Sequence, residues 1–323
     1  MTPSTLIATV TLNPSLDEWV ELPALRPGRL HRATSFSRYA GGKGINVSRV
    51  VHELGANTRA FALAGGEDGA ILRTLLQRLA IPQAFVTLAG STRNNYKIQT
   101  RAPRLLTEIN TPGPRVPKTA LRALERRLFR QRPAPRCVVL SGSLPPGVSH
   151  DLYRRWIQRL HRLGIPAVLD SSGVALRQGL RARPWVIKPN RHEAEELLQR
   201  RLNRLADVAD AASALAAQGP DLVIVSLGAD GAVLASRPDQ PAPASGRVWF
   251  ARPPTVKVDS AVGAGDSLIG GFLVGWARRL SLLEAFRLGV ACGAATAMTP
   301  GTELCHRADV KRLLGRVTIR RLA

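Results

Sequence analysis

Cysteine is scarce in this chain, and its scarcity excludes two classes of protein. Of 323 residues only three are cysteine, Cys137, Cys292 and Cys305, an odd number at wide spacing. A disulfide framework needs paired cysteines and a zinc site needs closely spaced ligands, so the sequence predicts neither. We therefore expect a reducing, cytoplasmic setting.

Long apolar runs are also lacking. No stretch of about 18 apolar residues occurs, so no transmembrane helix is expected. The segment 1–17 has no basic region and soon turns polar, which does not fit a secretory signal. With 45% hydrophobic residues the chain can still bury a sizeable core, and its length allows one large α/β domain or a large domain with a small one.

Acidic residues are few, since 23 Asp and Glu stand against 46 Lys and Arg, giving a formal net charge of +23. Such a balance is typical of proteins that bind nucleic acid or another polyanion. Arginine, however, alternates with apolar residues at helical spacing in 119–132 and 152–163, which indicates solvated helix faces. Zinc-finger, RNP-like and basic-tail patterns are absent, so polyanion binding is the less favoured alternative.

From residue 119 onwards, predicted strands and helices alternate, and the last predicted element is a helix over 310–314. Repeated β/α units imply a mostly parallel sheet with helices on both faces. In such sheets ligands bind beyond the carboxyl ends of the strands. We therefore expect the polar Gly- and Ser-rich segments that follow predicted strands to gather at one edge: 13–17, 65–66, 141–147, 170–173, 188–193, 226–231 and 259–266.

The stretch Val258–Gly271, VDSAVGAGDSLIGG, predicts a short strand, a tight turn and a helix that begins near Asp266. Small residues at 263–265 leave backbone N–H groups accessible at the start of that helix, and such an end binds anions. Asp266 lies in this positive field. From spacing alone, a helix cap and a general base beside a transferring phosphate are equally favoured.

A second glycine cluster, AGGKGINVSRVVHELGA at 40–56, precedes another predicted helix. It is not a P-loop, because a P-loop needs G-x-x-x-x-G-K-[ST]. Its glycines can let a ligand approach the backbone, with Asn46 reaching it from the first turn, and a plain Gly-rich loop is the alternative. The polar segments 17–38 and 92–110 predict a small sheet and a hairpin, with Arg93 near the start of the hairpin.

Together, GGKGINVSRVVHELG (41–55) and SAVGAGDSLIGGF (260–272) resemble the two signatures of the ribokinase-like, pfkB-type sugar kinases, and the resemblance covers nearly the whole chain. It implies a single ribokinase-like α/β domain over 1–323, with three α/β/α layers, a mostly parallel central sheet and a small β lid inserted at about 17–38 and 92–110. Further segments are similar to the phosphofructokinase B branch: TLNPSLD (11–17), LSGSLPPG (140–147), LDSSGVAL (169–176), KPNRHE (188–193), VSLGADGA (225–232) and PGTELC (300–305).

The resemblance implies ATP-dependent phosphoryl transfer to a hydroxyl of a sugar phosphate. The spans 169–176 and 254–305 are most like the 6-phosphofructokinase type. Fructose 6-phosphate is therefore the favoured candidate substrate, with fructose 1,6-bisphosphate as its product. TEINTPGP at 107–114 is more like the 1-phosphofructokinase and tagatose-6-phosphate kinase side, which keeps those two activities as alternatives.

Site residues follow from the same resemblance. Asp266 is the expected catalytic base, and Gly263, Ala264 and Gly265 form the anion hole for the transferring phosphate. Arg93 clamps the phosphate that the substrate already carries, a task that suits the arginine fork. The remaining expected substrate contacts are Asp17, Gly42, Lys43, Asn46 and Ser143.

On the nucleotide side, the resemblance implies that Asn190 and Glu193 hold Mg²⁺ through water. An ordinary first-turn helix acid is the alternative for Glu193. The other expected ATP contacts are Lys188, Ser226, Gly228 and Gly231. The family often binds potassium beside the anion hole, and the matching positions are Ser260, Val262, Thr296, Thr299 and Gly301.

Two residues depart from the pattern of the family. His192 stands where the 6-phosphofructokinase type usually has Lys beside the nucleotide, and Glu303 replaces a basic residue in the PGT-x-LC segment. The resemblance also implies a homodimer that forms through the lid, whose closure would exclude water from the reaction. It implies no specific nucleic-acid partner and no membrane partner.

Overall fold

Two β-sheets organise the chain, of which the computed structural model describes residues 5–238 and 247–322. The large sheet consists of β1 (Ile7–Thr11), β4 (Thr58–Gly65), β5 (Val86–Leu88), β8 (Cys137–Ser141), β9 (Ala167–Asp170), β10 (Val186–Ile187), β11 (Leu222–Ser226), β12 (Ala232–Ser236), β13 (Val248–Arg252) and β14 (Thr318–Arg321). The small sheet consists of β2 (Ser15–Leu22), β3 (Ser35–Gly41), β6 (Arg93–Thr100) and β7 (Leu106–Asn110). The helices are α1 (Lys43–Glu53), α2 (Gly66–Arg78), α3 (Lys118–Phe129), α4 (Leu152–Arg162), α5 (Gly173–Leu180), α6 (Arg191–Leu198), α7 (Leu205–Ala217), α8 (Ala264–Ala277), α9 (Leu282–Thr296) and α10 (Arg307–Leu314).

The large sheet is mostly parallel, as predicted. Its strand order is β14-β13-β12-β11-β10-β9-β8-β1-β4-β5. The pairings from β11 to β5 in this order are parallel, and the three pairings at the β14 end are antiparallel. The central strands β1 (IATVT) and β8 (CVVLS) are buried along their whole length, because helices cover both faces of the sheet.

Alternate side chains of β8 show the three layers. Val138 and Leu140 pack in one core with α3, α4, α5, α6 and α7. Cys137 and Val139 point to the opposite face and pack with α1, α8, α9 and α10. Among the described residues, no helix combines the length and the apolar character needed to cross a lipid bilayer.

The small sheet lies over one edge of the large one and has the order β3-β2-β6-β7. β2 pairs antiparallel with β3 and parallel with β6, and β7 pairs antiparallel with β6. Most of β2 is buried, whereas every residue of β7 is exposed. These strands come from the two polar segments in which the sequence predicted a lid.

Two local expectations were wrong, and one helix was not predicted. The predicted strand at Val258 is absent, since 253–259 contains no strand, and Pro253 and Pro254 there lack the N–H groups that a strand would donate. The helix over 310–314 was expected to be the last element, but α10 is followed by β14, which pairs antiparallel with β13. The helix α5 was missed because glycines punctuate its short sequence, and the packing of its buried face stabilises it.

Candidate active site

A cavity of about 1200 Å³ lies between the carboxyl ends of the parallel strands and the small sheet. The polar segments after β1, β8, β9, β10, β11 and β13 all contribute to its lining, as the topology predicts. The segment 65–66 after β4 does not line it. There the N–H of Gly65 donates to Thr92 Oγ1 at 3.1 Å, so this turn is joined to the start of the hairpin of β6 and β7 instead.

Most residues predicted for the site line this one cavity. The predicted sugar contacts, the sugar-side set, come from the small sheet, from the start of α1 and from the segment after β8, and all of them line the cavity: Asp17, Gly42, Lys43, Asn46, Arg93 and Ser143. The nucleotide-side set faces it: Lys188, Asn190, Glu193, Ser226, Gly228 and Gly231. The predicted anion hole and base, 263–266, lie between the two sets. Of the potassium positions, Val262 lines the cavity, and Ser260, Thr296, Thr299 and Gly301 do not.

The start of α8 is built to face an anion. Gly263 has a φ of 81°, which favours glycine, and a Cβ there would lie 2.6 Å from the side chain of Leu304. Among the described residues, the N–H groups of Gly265 and Asp266 have no hydrogen-bond acceptor. Free N–H donors and the positive end of the helix dipole therefore point into the cavity.

Asp266 is buried at this helix start, with 7% of its surface exposed. Its Oδ2 accepts a hydrogen bond from Asn46 Nδ2 at 2.8 Å, and Asn46 Oδ1 in turn accepts from Arg49 Nη1 at 3.3 Å. Within the described residues the side chain makes no capping bond to its own helix, which favours the general-base interpretation over the cap. Burial raises the pKa of Asp266 to about 6, although Lys43 opposes the shift.

Asp170, which the sequence reasoning missed, holds two lysines beside this helix start. Its Oδ1 lies 3.1 Å from Lys43 Nζ and 3.5 Å from Lys188 Nζ. Burial alone would raise the pKa of Asp170, but the two ammonium groups outweigh it and hold that pKa below its usual range. Burial alone would lower the pKa of Lys43, but Asp170 and Asp266 outweigh it and raise that pKa. Lys43 therefore stays cationic. Lys188 lies close to the helix start, since a Cβ at Gly265 would lie 3.4 Å from Lys188 Nζ.

On the sugar side, Asp17 is held by its neighbours in the small sheet. Its Oδ1 accepts hydrogen bonds from Ser15 Oγ at 2.9 Å and from Asn95 Nδ2 at 3.1 Å. Burial raises the pKa of Asp17, and the nearby charge of Lys97 works in the opposite direction. Asn95 and Lys97 were not predicted. Their signal was available, because they alternate with Arg93 on one face of a strand.

Arg93 lies at the base of the small sheet, and its buried Nε–H donor is unpaired within the part of the chain that the structure describes. Its Nη2 donates to the backbone oxygen of Asn13 at 3.2 Å, and its Nη1 donates to that of Thr111 at 3.4 Å. Its Nε is buried and has no acceptor among the described residues. Buried donors in proteins are usually paired, so this orphaned N–H suits an anionic ligand.

Asn190 and Glu193 form a capping box at the start of α6. The N–H of Glu193 donates to Asn190 Oδ1, and the N–H of Asn190 donates to Glu193 Oε2, both at 2.8 Å. Glu193 is therefore a first-turn acid that also caps its helix, and its second carboxylate oxygen is left for a ligand. In the described ranges, no group of three His, Cys, Asp or Glu side chains can hold a metal ion. This arrangement fits Mg²⁺, which commonly keeps its waters and binds substrate phosphates.

The predicted potassium positions lie on two adjoining segments. The N–H of Asp259 donates to the backbone oxygen of Ala297 at 2.8 Å, which joins the loop before α8 to the end of α9. Thr296 Oγ1 donates to Ser267 Oγ at 2.7 Å, and Thr299 Oγ1 lies 2.7 Å from the Thr296 backbone oxygen. The atoms at these positions that could coordinate a cation are all oxygen, which fits a hard cation.

The two departures from the family pattern lie outside the cavity lining. His192 is mostly exposed, and its Nε2 lies 3.1 Å from Glu196 Oε1 on the same helix. Glu303 contributes its backbone oxygen, which lies 2.8 Å from Thr299 Oγ1. His192 therefore faces solvent, and Glu303 supports the potassium segment through its backbone.

Comparisons with known proteins find relatives over nearly the whole chain. A profile described as pfkB family carbohydrate kinase matches residues 10–309. A 1-phosphofructokinase of Bacillus subtilis is 36% identical over 98% of this chain and 100% of the relative. An ATP-dependent 6-phosphofructokinase isozyme 2 of Mycobacterium tuberculosis is 36% identical over 95% of this chain and 88% of the relative.

Solved structures give the same result. Phosphofructokinase-2 of Escherichia coli, in complex with substrates and products, is 34% identical and superimposes with a TM-score of 0.89, covering 96% of this chain and 98% of that one. The same protein in complex with potassium gives a TM-score of 0.88 at 34% identity, covering 97% of this chain and 99% of that one.

Proposed function

The chain belongs to the pfkB family of carbohydrate kinases and is a sugar-phosphate kinase of the phosphofructokinase B type, and on this premise we propose that its substrate is fructose 1-phosphate. ATP would phosphorylate the free hydroxyl at C6, giving fructose 1,6-bisphosphate. This choice reverses the ranking of the two fructose phosphates that the sequence resemblance favoured. Both substrates give the same product, so the choice concerns which end of the sugar faces Arg93.

The observation that carries this choice is the position of the segment 107–114. This segment resembles the 1-phosphofructokinase side, and it contributes Glu108 and Asn110 to the cavity beside the sugar-side residues. Lys97 Nζ donates to Glu108 Oε2 at 2.6 Å, so the segment positions a cation in the sugar half. The span 254–305, which resembles the 6-phosphofructokinase type, lies towards the anion hole and the nucleotide.

The side chains supply the chemistry in a simple order. Arg93 holds the phosphate of the sugar, and the far hydroxyl lies at Asp266. As the hydroxyl proton passes to the Asp266 carboxylate, the sugar oxygen forms a bond to the γ-phosphorus of ATP. The bond between that phosphorus and the bridging oxygen of ADP breaks, and ADP leaves. The N–H groups at the start of α8 and the ammonium of Lys188 stabilise the charge on the transferred group.

Two cations would support the phosphates. Asn190 and Glu193 would hold Mg²⁺ through water, and Mg²⁺ neutralises part of the charge of the ATP phosphates. Oxygen atoms of the segments 260–262 and 296–301 would hold potassium, whose charge adds to the positive field at the helix start. A similar protein has been solved with potassium, which supports this proposal.

We also propose that two copies associate through the small sheet. Large apolar side chains are exposed on this sheet and its connections: Leu30 by 80%, Phe36 by 52%, Leu105 by 58% and Ile109 by 50%. Exposed apolar groups that lie together commonly mark an interface. Sedimentation should give a dimer for the wild type and a monomer for a Phe36→Asp, Ile109→Asp variant; a monomeric wild type would contradict the proposal.

Initial rates with MgATP test the substrate. Fructose 1-phosphate, fructose 6-phosphate and tagatose 6-phosphate are compared at equal concentrations across their saturation ranges. We expect kcat/KM for fructose 1-phosphate to exceed the other two by at least about tenfold. A preference for fructose 6-phosphate would select the second candidate, which the spans 169–176 and 254–305 favour.

A further inference from the structure

The two arginine-rich segments of the sequence form one groove in the fold. This groove has a volume of about 740 Å³ and lies between α3 and α4, away from the active-site cavity. Its polar lining is basic on both sides: Lys118, Arg122, Arg155, Arg159 and Arg162, with Glu125 as the single acidic side chain. Lys118 and Arg122 are four residues apart and share one face of α3. Arg155, Arg159 and Arg162 are spaced by four and three residues and share one face of α4, so two basic stripes face each other across the groove.

Most of this charge is not neutralised. Arg159 Nη1 lies 2.6 Å from Glu125 Oε1 and so bridges the two helices, and Arg155 lies 3.5 Å from Asp151. Within the described residues, Lys118, Arg122 and Arg162 have no acidic partner. Like charges four residues apart on a helix repel each other. A bound anion would remove this repulsion.

We propose that the groove between α3 and α4 binds a small anion that carries two or more phosphate groups. Arginine forks on two sides suit phosphate oxygens, and several of them suit several phosphates. The volume is that of a small-molecule site. The site is separate from the catalytic cavity, although both draw on the segment 141–149: Ser143 lines the cavity, and Gly147 and Ser149 line the groove.

The groove lacks the features of a nucleic-acid surface. Single-stranded nucleic acid needs exposed aromatic rings on which its bases stack. Trp156 is buried, with 2% of its surface exposed, and the ring of Phe129 is covered by the Arg159 guanidinium at 4.0 Å. With no aromatic face open in the lining, phosphate groups rather than bases are the part of a ligand that this site recognises.

Titration calorimetry with tripolyphosphate tests the proposal at about 150 mM salt, where weak surface attraction is screened. The groove variant is Arg122→Glu, Arg162→Glu, and the matched control is Lys311→Glu, Arg316→Glu, which changes the net charge equally at two other exposed positions. A Lys188→Ala variant removes one of the cations that would bind tripolyphosphate in the catalytic cavity. In the Lys188→Ala background, we expect tripolyphosphate still to bind at one site. The groove substitutions should weaken its affinity at least about tenfold, and the control substitutions should leave its affinity unchanged.

The unfolding temperature of each variant shows whether it folds normally. If charge reversal disturbs folding, the neutral variant Arg122→Ala, Arg162→Ala replaces the charge-reversed one. Equal tripolyphosphate binding by the groove and control variants would overturn the proposal. It would also be overturned if the wild type bound a 30-nucleotide single strand through the groove while tripolyphosphate did not bind. Orthophosphate should bind more weakly than tripolyphosphate, and equal affinity would contradict a site for several phosphates.

Discussion

Asn46 in α1 donates from Nδ2 to Oδ2 of Asp266 in α8 at 2.8 Å, across 220 residues of sequence. The orientation of the amide is fixed, because its Oδ1 accepts from Arg49 Nη1. The two glycine-rich segments of the sequence therefore meet through one hydrogen bond at the proposed base. This bond opposes the effect of burial on the pKa of Asp266, and it occupies Oδ2, which leaves Oδ1 for the proposed hydroxyl.

Asp266→Asn should keep ATP binding and lose most of kcat. The amide has nearly the shape of the carboxylate but cannot take a proton, and general bases contribute roughly 100- to 10,000-fold to rate. Rapid-quench rates and ATP titration measure the two properties separately. Turnover within about tenfold of the wild type would remove Asp266 from the role of base.

The acid limb of the pH profile should report Asp266. Burial raises its pKa to about 6 in the folded protein, so the carboxylate is protonated below that pH and kcat/KM should fall there and stay level above it. The phosphate of the substrate also titrates near pH 6, which requires a control. Asn46→Ala removes a bond that lowers the Asp266 pKa, so it should move the limb to higher pH. A limb that stays in place would belong to the substrate.

Arg93→Ala should raise KM for the sugar phosphate at least about tenfold and leave KM for ATP nearly unchanged, because a charge-assisted contact to one substrate is lost. Arg93→Lys should recover part of the affinity, since lysine keeps the charge but lacks the fork. Arg78→Ala, at an exposed position of α2, is the control. Equal increases in both KM values would point to a general disturbance rather than a phosphate clamp.

The sequence predicts the position of a residue when the topology of the sheet determines it, but not when only packing brings the residue to its partners. The strand-end segments were predicted to meet because parallel topology alone brings them together. Asp170 was missed because its partners, Lys43 and Lys188, are distant in sequence and only packing shows that all three meet. The basic groove was missed for the same reason, since each helix alone looked like a solvated face.

Asp170→Asn should destabilise the fold at pH 7. The pKa of Asp170 is lowered in the folded protein, so its stabilising effect is present above the unfolded pKa and is lost as pH falls through the folded one. Its removal leaves buried Lys188 without its ion-pair partner. Breaking such a buried pair costs about 3 kcal/mol, and a larger cost is not expected because Lys43, the other partner of Asp170, is partly exposed. Urea unfolding measures it, with exposed Asp210→Asn as control. Equal stability of both variants would contradict the argument.

The lid hairpin also contacts the loop before the anion hole. Arg104, between β6 and β7, donates from Nη2 to the backbone oxygen of Asp259 at 3.0 Å and pairs with its carboxylate. We predict that this contact helps to hold the lid over the sugar, so Arg104→Ala should raise KM for the sugar phosphate a few-fold and increase ATP hydrolysis without sugar. Both partners are about half exposed, so the effect on stability should be small.

A double-mutant cycle separates this contact from general effects of charge. If Arg104 acts through Asp259, then Asp259→Asn should reproduce part of the Arg104→Ala effect, and the double variant should lose no more than Arg104→Ala alone, since the contact can be lost only once. Arg101→Ala is the matched control, because its pair with Glu21 at 3.3 Å lies within the small sheet and does not reach the loop. Additive losses, or an equal change in the control, would mean that Arg104 does not hold the lid through Asp259.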